Sequence, residues 1–188
     1  TDLALLKVDR KKAFPYVAFG DSDRSEVGDW IVAVGNPFGL DHTVTTGIIS
    51  ARGRSIGAGP YDDFLQIDAP INKGNSGGPA FNLSGEVIGV NTAIFSPTGG
   101  SVGIGFAIPS NLAKTVIAQL KDGGTVERGW LGVSIQNVSD DIASGVGLDK
   151  AEGAIVAGVA EGGPADKAGL KIGDVILDVN GERIEEMP

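Results

Sequence analysis

A serine set between glycines offers the clearest chemistry in the sequence. Ser76 lies within the segment NKGNSGGP, residues 72–79. A serine hydroxyl is a weak nucleophile, and its attack on a carbonyl creates an oxyanion that converging main-chain N–H groups can stabilise. Flanking glycines permit the tight loop that this convergence requires. We therefore predict a nucleophile at Ser76 and an oxyanion hole in the loop Gly74, Asn75 and Ser76. Its donors would be the N–H groups of Gly74 and Ser76, while Lys73 and Asn75 shape the loop.

The residues around this serine also carry a family resemblance. GNSGGP resembles the GDSGGP nucleophile loop of chymotrypsin-like serine proteases, and the longer DAPINKGNSGGP resembles the HtrA (DegP/DegQ-like) subfamily. TDLALLKV, VGDWIVAVGNPFGL, TVTTGIIS and VGIGFAIPS are similar to further segments of the same family. A bare GNSGG could equally be a surface turn, but the extended match identifies the chain as a member of this family.

The resemblance implies a triad acid at Asp2, which would orient a histidine and stabilise its imidazolium. In this family the histidine precedes the aspartate, so the general base would lie upstream of Asp2. The one histidine of the 188 residues is His42, in a segment where the resemblance implies a variable regulatory loop. The order Asp2, His42, Ser76 mimics that of subtilisins, but those are α/β proteins. We expect His42 to be a loop residue and the 188-residue chain, without its base, to be essentially inactive.

The stretch before the serine bears on substrate choice. Chymotrypsin-like enzymes that cut after Arg or Lys have an aspartate at the base of the specificity pocket, and the corresponding stretch here is residues 70–72. Ile71, Asn72 and Phe95 predict a small apolar pocket and cleavage after Val, Ala, Ile or Leu. Core packing is the competing interpretation for Ile71 and Phe95. Asp68, the rival charge, is expected to be structural.

A second pattern follows the polar link TVERG. RGWLGV and GGPADKAGLKIGDVILDVNGERI resemble a PDZ domain, a module that adds an extended peptide to a sheet edge and captures its terminal carboxylate on main-chain N–H groups. Trp130, Leu131, Gly132 and Val133 resemble the carboxylate-binding loop, although an ordinary strand start would explain this tetrapeptide alone. The second wall of the groove should follow Pro188, so we expect an incomplete groove.

These residues need a β-rich scaffold to position them. Short apolar runs separated by Gly, Pro, Asn and Asp have the cadence of a sandwich or barrel. One helix is predicted with Ser110 as its N-cap and Gly123-Gly124 as its end, and another from Asp140 with Ser139 as its cap. Asn180-Gly181 predicts a type I′ hairpin turn. The predicted strands of the first domain are Leu3 to Val8, Trp30 to Val34, Thr43 to Ser50, Phe64 to Asp68, Glu86 to Ile94 and Val102 to Ile108.

The fold class implied by the resemblance is mostly β: a chymotrypsin-like β-barrel, made of the C-terminal barrel and the last part of the first, followed by a partial PDZ domain. We expect an incomplete trypsin-like protease domain over residues 1–122 and an incomplete PDZ domain over residues 126–188.

Composition narrows the function classes. With 41% hydrophobic residues the chain can bury a core, and the absence of cysteine excludes disulfides, thiolate metal sites and a cysteine nucleophile. A net charge of −9 argues against a nucleic-acid or anionic-membrane surface. No cofactor or metal is expected. No apolar stretch approaches the roughly 20 residues that span a bilayer.

The resemblance implies an ATP-independent protease for misfolded or unfolded proteins in the periplasm or cell envelope. Its partners would be unfolded protein substrates and C-terminal peptides, and the full-length protein would assemble as a trimer or a higher multiple. The rival interpretation is a non-catalytic protease-like scaffold or chaperone in which the PDZ module binds peptides.

Overall fold

The chain forms two compact units, Thr1–Val126 and Glu127–Pro188. The computed structural model describes residues 2–59 and 61–184, so the predicted domain ends at Thr1 and at residues 185–188 lie outside the described residues. Among the described residues, no helix is both long enough and apolar enough to cross a membrane.

The first unit is built on six strands: β1 (Trp30–Gly35), β2 (Thr43–Arg54), β3 (Phe64–Ile67), β4 (Pro79–Phe81), β5 (Val87–Ile94) and β6 (Gly105–Pro109). They form a closed antiparallel barrel in the order β1, β2, β3, β6, β5, β4. Ala33 of β1 pairs with Thr45 of β2 on one side and with Ala80 of β4 on the other. The mostly β prediction is confirmed, and five of the predicted strands are present with shifted ends.

The prediction of a strand from Leu3 to Val8 is wrong. A strand needs a neighbour for its main-chain groups, and no described segment pairs with these residues. Leu3 packs against a core cluster, while Leu6 and Val8 are exposed. An apolar run alone therefore did not identify a strand here.

Two apolar clusters support the barrel. One fills its interior and consists of Ile31, Ala33, Ile49, Ile67, Ala69, Ile71 and Ile88. The other is Phe64, Phe106, Ile108 and Ala113, the last of which lies on helix α1 (Ser110–Gly123). This packing joins the helix to the strands around the predicted nucleophile. The predicted stop is confirmed, since Gly124 adopts a left-handed φ of 72° and its N–H donates to the Leu120 carbonyl (3.0 Å).

The prediction of Ser110 as the N-cap of α1 is wrong. Pro109 is the cap residue, and Ser110 is already helical and fully buried. The Ser110 hydroxyl donates to the Gly20 carbonyl (2.9 Å), whereas the Asn111 N–H donates to Ser22 Oγ (3.1 Å). The capping oxygen therefore comes from a distant segment, which local sequence could not reveal.

The second unit contains β7 (Val133–Asn137), α2 (Asp140–Val146), β8 (Ala154–Val159), α3 (Pro164–Ala168), β9 (Val175–Ile176), β10 (Asp178–Val179) and β11 (Glu182–Arg183). β7, β8 and β9 form a sheet in that order, which leaves β7 at an edge, and β10 pairs with β11. Ser139 Oγ caps α2 by accepting from the Ile142 N–H (3.3 Å). Asn180 and Gly181 have φ of 55° and 84°, so the predicted turn is confirmed.

Candidate active site

Ser76 lies in the loop between β3 and β4, with its side chain exposed. Its hydroxyl donates to the Thr92 carbonyl at 2.9 Å. Thr92 is the extra residue of a β-bulge, because Asn91 pairs with Ala107 while Ala93 pairs with Phe106. A bulge leaves one residue unpaired in the ladder, and this frees the Thr92 carbonyl to hold the serine hydroxyl.

Neighbouring segments fasten the loop that carries the predicted nucleophile, residues 72–78 (the nucleophile loop), on two sides. On one side, the Asn36 N–H donates to the Gly74 carbonyl (3.3 Å) and the Phe38 N–H to the Lys73 carbonyl (3.0 Å). On the other, the Gly77 N–H donates to the Asn91 carbonyl (2.8 Å), and the Asn91 N–H donates to the Gly78 carbonyl (2.9 Å). The loop is thus held by residues about 37 positions before and 14 positions after it in the sequence.

Two N–H groups of this loop are left free. The Asn75 N–H donates to the Asn72 carbonyl (3.0 Å), so Asn75 closes the turn and is not an available donor. Within residues 2–59 and 61–184, neither the Gly74 N–H nor the Ser76 N–H donates a hydrogen bond. Gly74 has a φ of 107°, and a Cβ there would collide with the Asn36 carbonyl oxygen. The loop therefore presents two free donors beside the Ser76 hydroxyl, at a position that requires glycine.

Buried amide side chains flank the same loop. Asn75 is 1% exposed and Asn91 is 0% exposed, and the Oδ1 atom of each has no partner among the described residues. The Asn91 Nδ2 donates only weakly, to the Pro79 carbonyl at 3.4 Å. An unsatisfied buried acceptor costs about 1–3 kcal/mol, so the loop's geometry is maintained at the expense of local stability.

A cavity of about 290 Å³ opens beside Ser76. Ile71 lines it and is also 1% exposed within the barrel core, so the same side chain packs in the core and borders the cavity. Phe95 is 60% exposed and is absent from the described lining, which instead includes its neighbour Ile94. None of the lining residues is acidic. They are Ile71, Asn72, Lys73, Ser76, Thr92, Ala93, Ile94, Ser96 and Gly99.

Asp68 does not enter this cavity. Its Oδ1 accepts from the Ile48 N–H of β2 at 2.6 Å and joins the end of β3 to the neighbouring strand. The carboxylate thus has the structural role expected from the sequence, and the cavity keeps its apolar character.

Asp2 and His42 are both exposed. Among the described residues, no hydrogen bond links either side chain to Ser76, whose proton is directed to the Thr92 carbonyl. His42 lies just before β2 and follows Asp41, which has a φ of 75°. Nor do the described residues include a group of three or more His, Cys, Asp or Glu side chains that could hold a metal ion.

In the second unit, residues 130–132 form a loop directly before the edge strand β7. The Ala165 N–H donates to the Leu131 carbonyl (2.9 Å), and the Ala160 N–H donates to the Gly132 carbonyl (2.8 Å). Both carbonyls are therefore occupied, whereas the Leu131 and Gly132 N–H groups donate no hydrogen bond in the part of the chain that the structure describes. A groove of about 320 Å³ adjoins them. It is lined by Trp130, Gly132, Val133, Ser134, Gly158, Val159 and Ala160.

Sequence reasoning missed the residues that fasten the nucleophile loop. The Asn36-Pro37 pair and Gly39 are turn signals and could have indicated the tight segment at residues 36–39. No local signal distinguishes Thr92 or Asn91 from other strand residues, because their importance comes from the register of β5 against β6.

Comparison with known proteins matches both units. Residues 1–90 match the trypsin-like peptidase domain family, and residues 119–188 match the PDZ domain family. The chain is 67% identical over 187 residues to a probable periplasmic serine endoprotease DegP-like of Brucella suis biovar 1 (strain 1330), covering 99% of the chain and 36% of that relative. A protein of the same description from Rhizobium meliloti (strain 1021) is 63% identical, with 99% and 37% covered. The chain thus spans little more than a third of the length of these curated relatives.

Solved structures show the same similarity. An HtrA-type protease AlgW with tripeptide is 49% identical with a TM-score of 0.81, covering 94% of the chain and 59% of that protein. A serine endoprotease from Yersinia pestis is 39% identical with a TM-score of 0.61, covering 94% and 55%.

Proposed function

Since this chain belongs to the HtrA (DegP-like) family, with a trypsin-like peptidase domain followed by a PDZ domain, we propose that it is the part of a serine endopeptidase that supplies the nucleophile. One observation carries the proposal: the exposed Ser76 hydroxyl lies in a loop whose two free N–H groups, on Gly74 and on Ser76 itself, are held in place by the neighbouring segments.

In the proposed reaction, Ser76 Oγ attacks the scissile carbonyl and forms a bond to its carbon. The Gly74 and Ser76 N–H groups receive the resulting oxyanion, and each such donor contributes about 3 kcal/mol to transition-state stabilisation. The C–N bond then breaks, the amine leaves with a proton, and water later hydrolyses the acyl-enzyme.

This reaction needs a base, because the Thr92 carbonyl that now accepts the Ser76 hydroxyl cannot take up its proton. We assign the base to a histidine in a part of the protein outside these 188 residues, oriented by Asp2. The greater length of the curated relatives supports this assignment. On this assignment His42 is a loop residue without a catalytic role, and the isolated 188-residue chain is essentially inactive.

The cavity beside Ser76 would receive the side chain that precedes the cleaved bond. At about 290 Å³ it lies just below the ~300–1,000 Å³ typical of ligand pockets. Ile71, Ala93 and Ile94 provide apolar walls, and Lys73 is the charged residue among the described lining residues. These features support cleavage after Val, Ala, Ile or Leu and disfavour cleavage after Arg or Lys.

The second unit would bind the C-terminus of an extended peptide. The peptide would pair with the edge strand β7, and its carboxylate would accept hydrogen bonds from the free N–H groups of Leu131 and Gly132. Unfolded proteins in the periplasm are the proposed substrates, supported by the names of the relatives. Assembly as a trimer or a multiple of it is carried by the family resemblance alone.

A second candidate function is that of a protease-like scaffold or chaperone. The observation that favours it is the hydrogen bond from the Ser76 hydroxyl to the Thr92 carbonyl, because a carbonyl cannot take up the proton of the serine. Cleavage of unfolded casein by the full-length protein and by its Ser76→Ala variant distinguishes the two functions. We expect the variant to lose about six orders of magnitude in turnover, as in a related triad. Ser84→Ala, which changes an exposed turn serine, is the control and should retain activity. Equal casein turnover by the folded wild type and Ser76→Ala would establish the scaffold function instead.

A further inference from the structure

A single side chain joins the nucleophile loop to the outer wall of the apolar cavity. Asn72 Oδ1 accepts a hydrogen bond from the Ser101 N–H at 2.9 Å in a partly buried setting. The main-chain carbonyl of Asn72 accepts the Asn75 N–H (3.0 Å) and so closes the turn that precedes Ser76. Asn72 therefore contacts the cavity wall with its side chain and the rest of the nucleophile loop with its main chain.

The wall is a loop that holds its own shape. The Phe95 N–H donates to the Ile104 carbonyl (3.0 Å) at the neck of the loop. Inside it, the Ser96 hydroxyl donates to the Gly100 carbonyl (2.6 Å) and accepts from the Gly99 N–H (2.8 Å). Ser96 and Gly99 both line the cavity. Because these bonds are internal to the loop, they fix its shape but not its distance from Ser76.

The apolar contacts of this wall lie at its neck, where Ile94 and Ile104 pack against the two core clusters. Phe95, the largest side chain of the loop, is mostly exposed, so its burial does not hold the loop against the barrel. The hydrogen bond from the Ser101 N–H to Asn72 Oδ1 spans 29 positions and joins the wall to the nucleophile loop. Its loss would let the wall move outward and would leave a partly buried N–H without an acceptor.

We propose that Asn72 is a positioning residue that sets the width of the cavity and thereby the selectivity for short aliphatic side chains. This inference rests on the proposed function, because it concerns the same cavity and the same serine. Asn72 acts through Ser101 and through the nucleophile loop and does not contact the reacting atoms.

The test compares two variants of the full-length protein. Asn72→Leu keeps a similar volume but removes the acceptor, while Asn72→Asp keeps an oxygen in the same place. kcat and KM are measured on two peptides that differ only in having Val or Phe before the cleaved bond. In Asn72→Leu we expect the ratio of kcat/KM for Val over Phe to fall about tenfold. Asn72→Asp should retain the ratio.

Hydrogen exchange at the Ser101 amide provides a readout that does not depend on turnover. The amide should exchange about tenfold faster in Asn72→Leu than in the wild type or Asn72→Asp. If Asn72→Leu does not fold, Asn72→Ala removes the same acceptor with less bulk and carries the same expectations.

Two results would overturn the inference: an unchanged Val to Phe ratio in a folded Asn72→Leu protein, with or without an equal loss of activity on both peptides, or equal Ser101 exchange in all proteins. Wild-type cleavage that persists in Ser76→Ala would be a different failure, since it would remove the proposed function itself and this inference with it.

Discussion

The nucleophile loop and the loop before β7 solve related problems in different ways. Each leaves two main-chain N–H groups free next to a glycine of positive φ, Gly74 in one and Gly132 in the other. The nucleophile loop is fastened from both flanks, through its carbonyls and through Gly77 and Gly78. The loop before β7 is fastened through the Leu131 and Gly132 carbonyls, and among the described strands the β7 that follows it lies at a sheet edge. Donors for a transition state must be fixed before the reaction, whereas strand addition needs an unoccupied edge.

Among the glycine substitutions that test this difference between the loops, Gly74→Ala is expected to have the largest effect. A Cβ at this φ of 107° would collide with the Asn36 carbonyl oxygen, so the loop would shift and misplace a donor. Removing one such donor costs about 10²–10³ in turnover, and we expect a loss of at least this size in casein cleavage by the full-length protein. Gly85→Ala is the matched control, since Gly85 has a φ of 76° but open space around it. Similar activities of the two variants would show that the fixed geometry of the nucleophile loop is unimportant.

An intermediate effect is expected in the second unit from Gly132→Ala. Gly132 has a φ of 79°, and a Cβ would come within 3.3 Å of the Trp130 ring. The strain should turn the free N–H groups away and weaken binding of a peptide with a free C-terminal carboxylate about tenfold, as measured by calorimetry.

Gly162→Ala, with a φ of 71° and open surroundings, should bind the peptide like the wild type. Amidation of the peptide should reproduce the loss in the wild type and add little in Gly132→Ala. Equal affinity for the acid and the amide would mean that the loop before β7 does not hold a carboxylate.

Short-range chemistry accounts for what the sequence predicted well. Gly74, Gly132 and the Asn180-Gly181 pair all have the positive φ that glycine and asparagine favour, and such positions leave a mark in adjacent residues. The tight loops around Ser76 and before β7 could therefore be predicted from the sequence, and short apolar runs predicted five of the barrel strands.

Long-range pairing accounts for what the sequence missed. The Thr92 carbonyl meets Ser76 only because β5 carries a bulge against β6. The Asn72 side chain finds its donor 29 positions away, and the N-terminal cap of α1 comes from Ser22. The failed strand at Leu3 to Val8 has the same origin, since an apolar run does not specify whether a partner strand lies beside it. The register of the barrel decides the Thr92 contact, and the tertiary placement of segments outside the strands decides the others.

The smallest effect, a change in stability, is expected at Asp21, whose side chain contacts the first turn of α1. The Asn111 side-chain amide (2.7 Å) and the Asp23 N–H both donate to the Asp21 carboxylate, and they hold its pKa below the ordinary value. A lowered pKa in the folded state stabilises the protein at pH values above the ordinary carboxyl range, and this stabilisation disappears as the pH falls through the folded-state pKa.

Asp21→Asn should therefore lower the thermal midpoint slightly at pH 7, and the difference from the wild type should vanish in strong acid. Asp9→Asn, which changes an exposed carboxylate, is the control and should leave the thermal midpoint at pH 7 unchanged. A difference between Asp21→Asn and the wild type that is constant with pH would contradict the role of the Asp21 charge. Neither substitution should alter casein cleavage, because both lie outside the loop that holds Ser76.

The most direct test of Ser76 as the nucleophile is covalent labelling of the full-length protein with a fluorophosphonate, followed by mapping of the adduct by mass spectrometry. An activated serine displaces fluoride from this reagent and keeps the phosphonyl group on its Oγ. We expect a single adduct on Ser76 that forms much more slowly in Gly74→Ala and at the normal rate in Gly85→Ala. A folded protein that acquires no adduct, or acquires it on another serine, would contradict the assignment of Ser76 as the nucleophile.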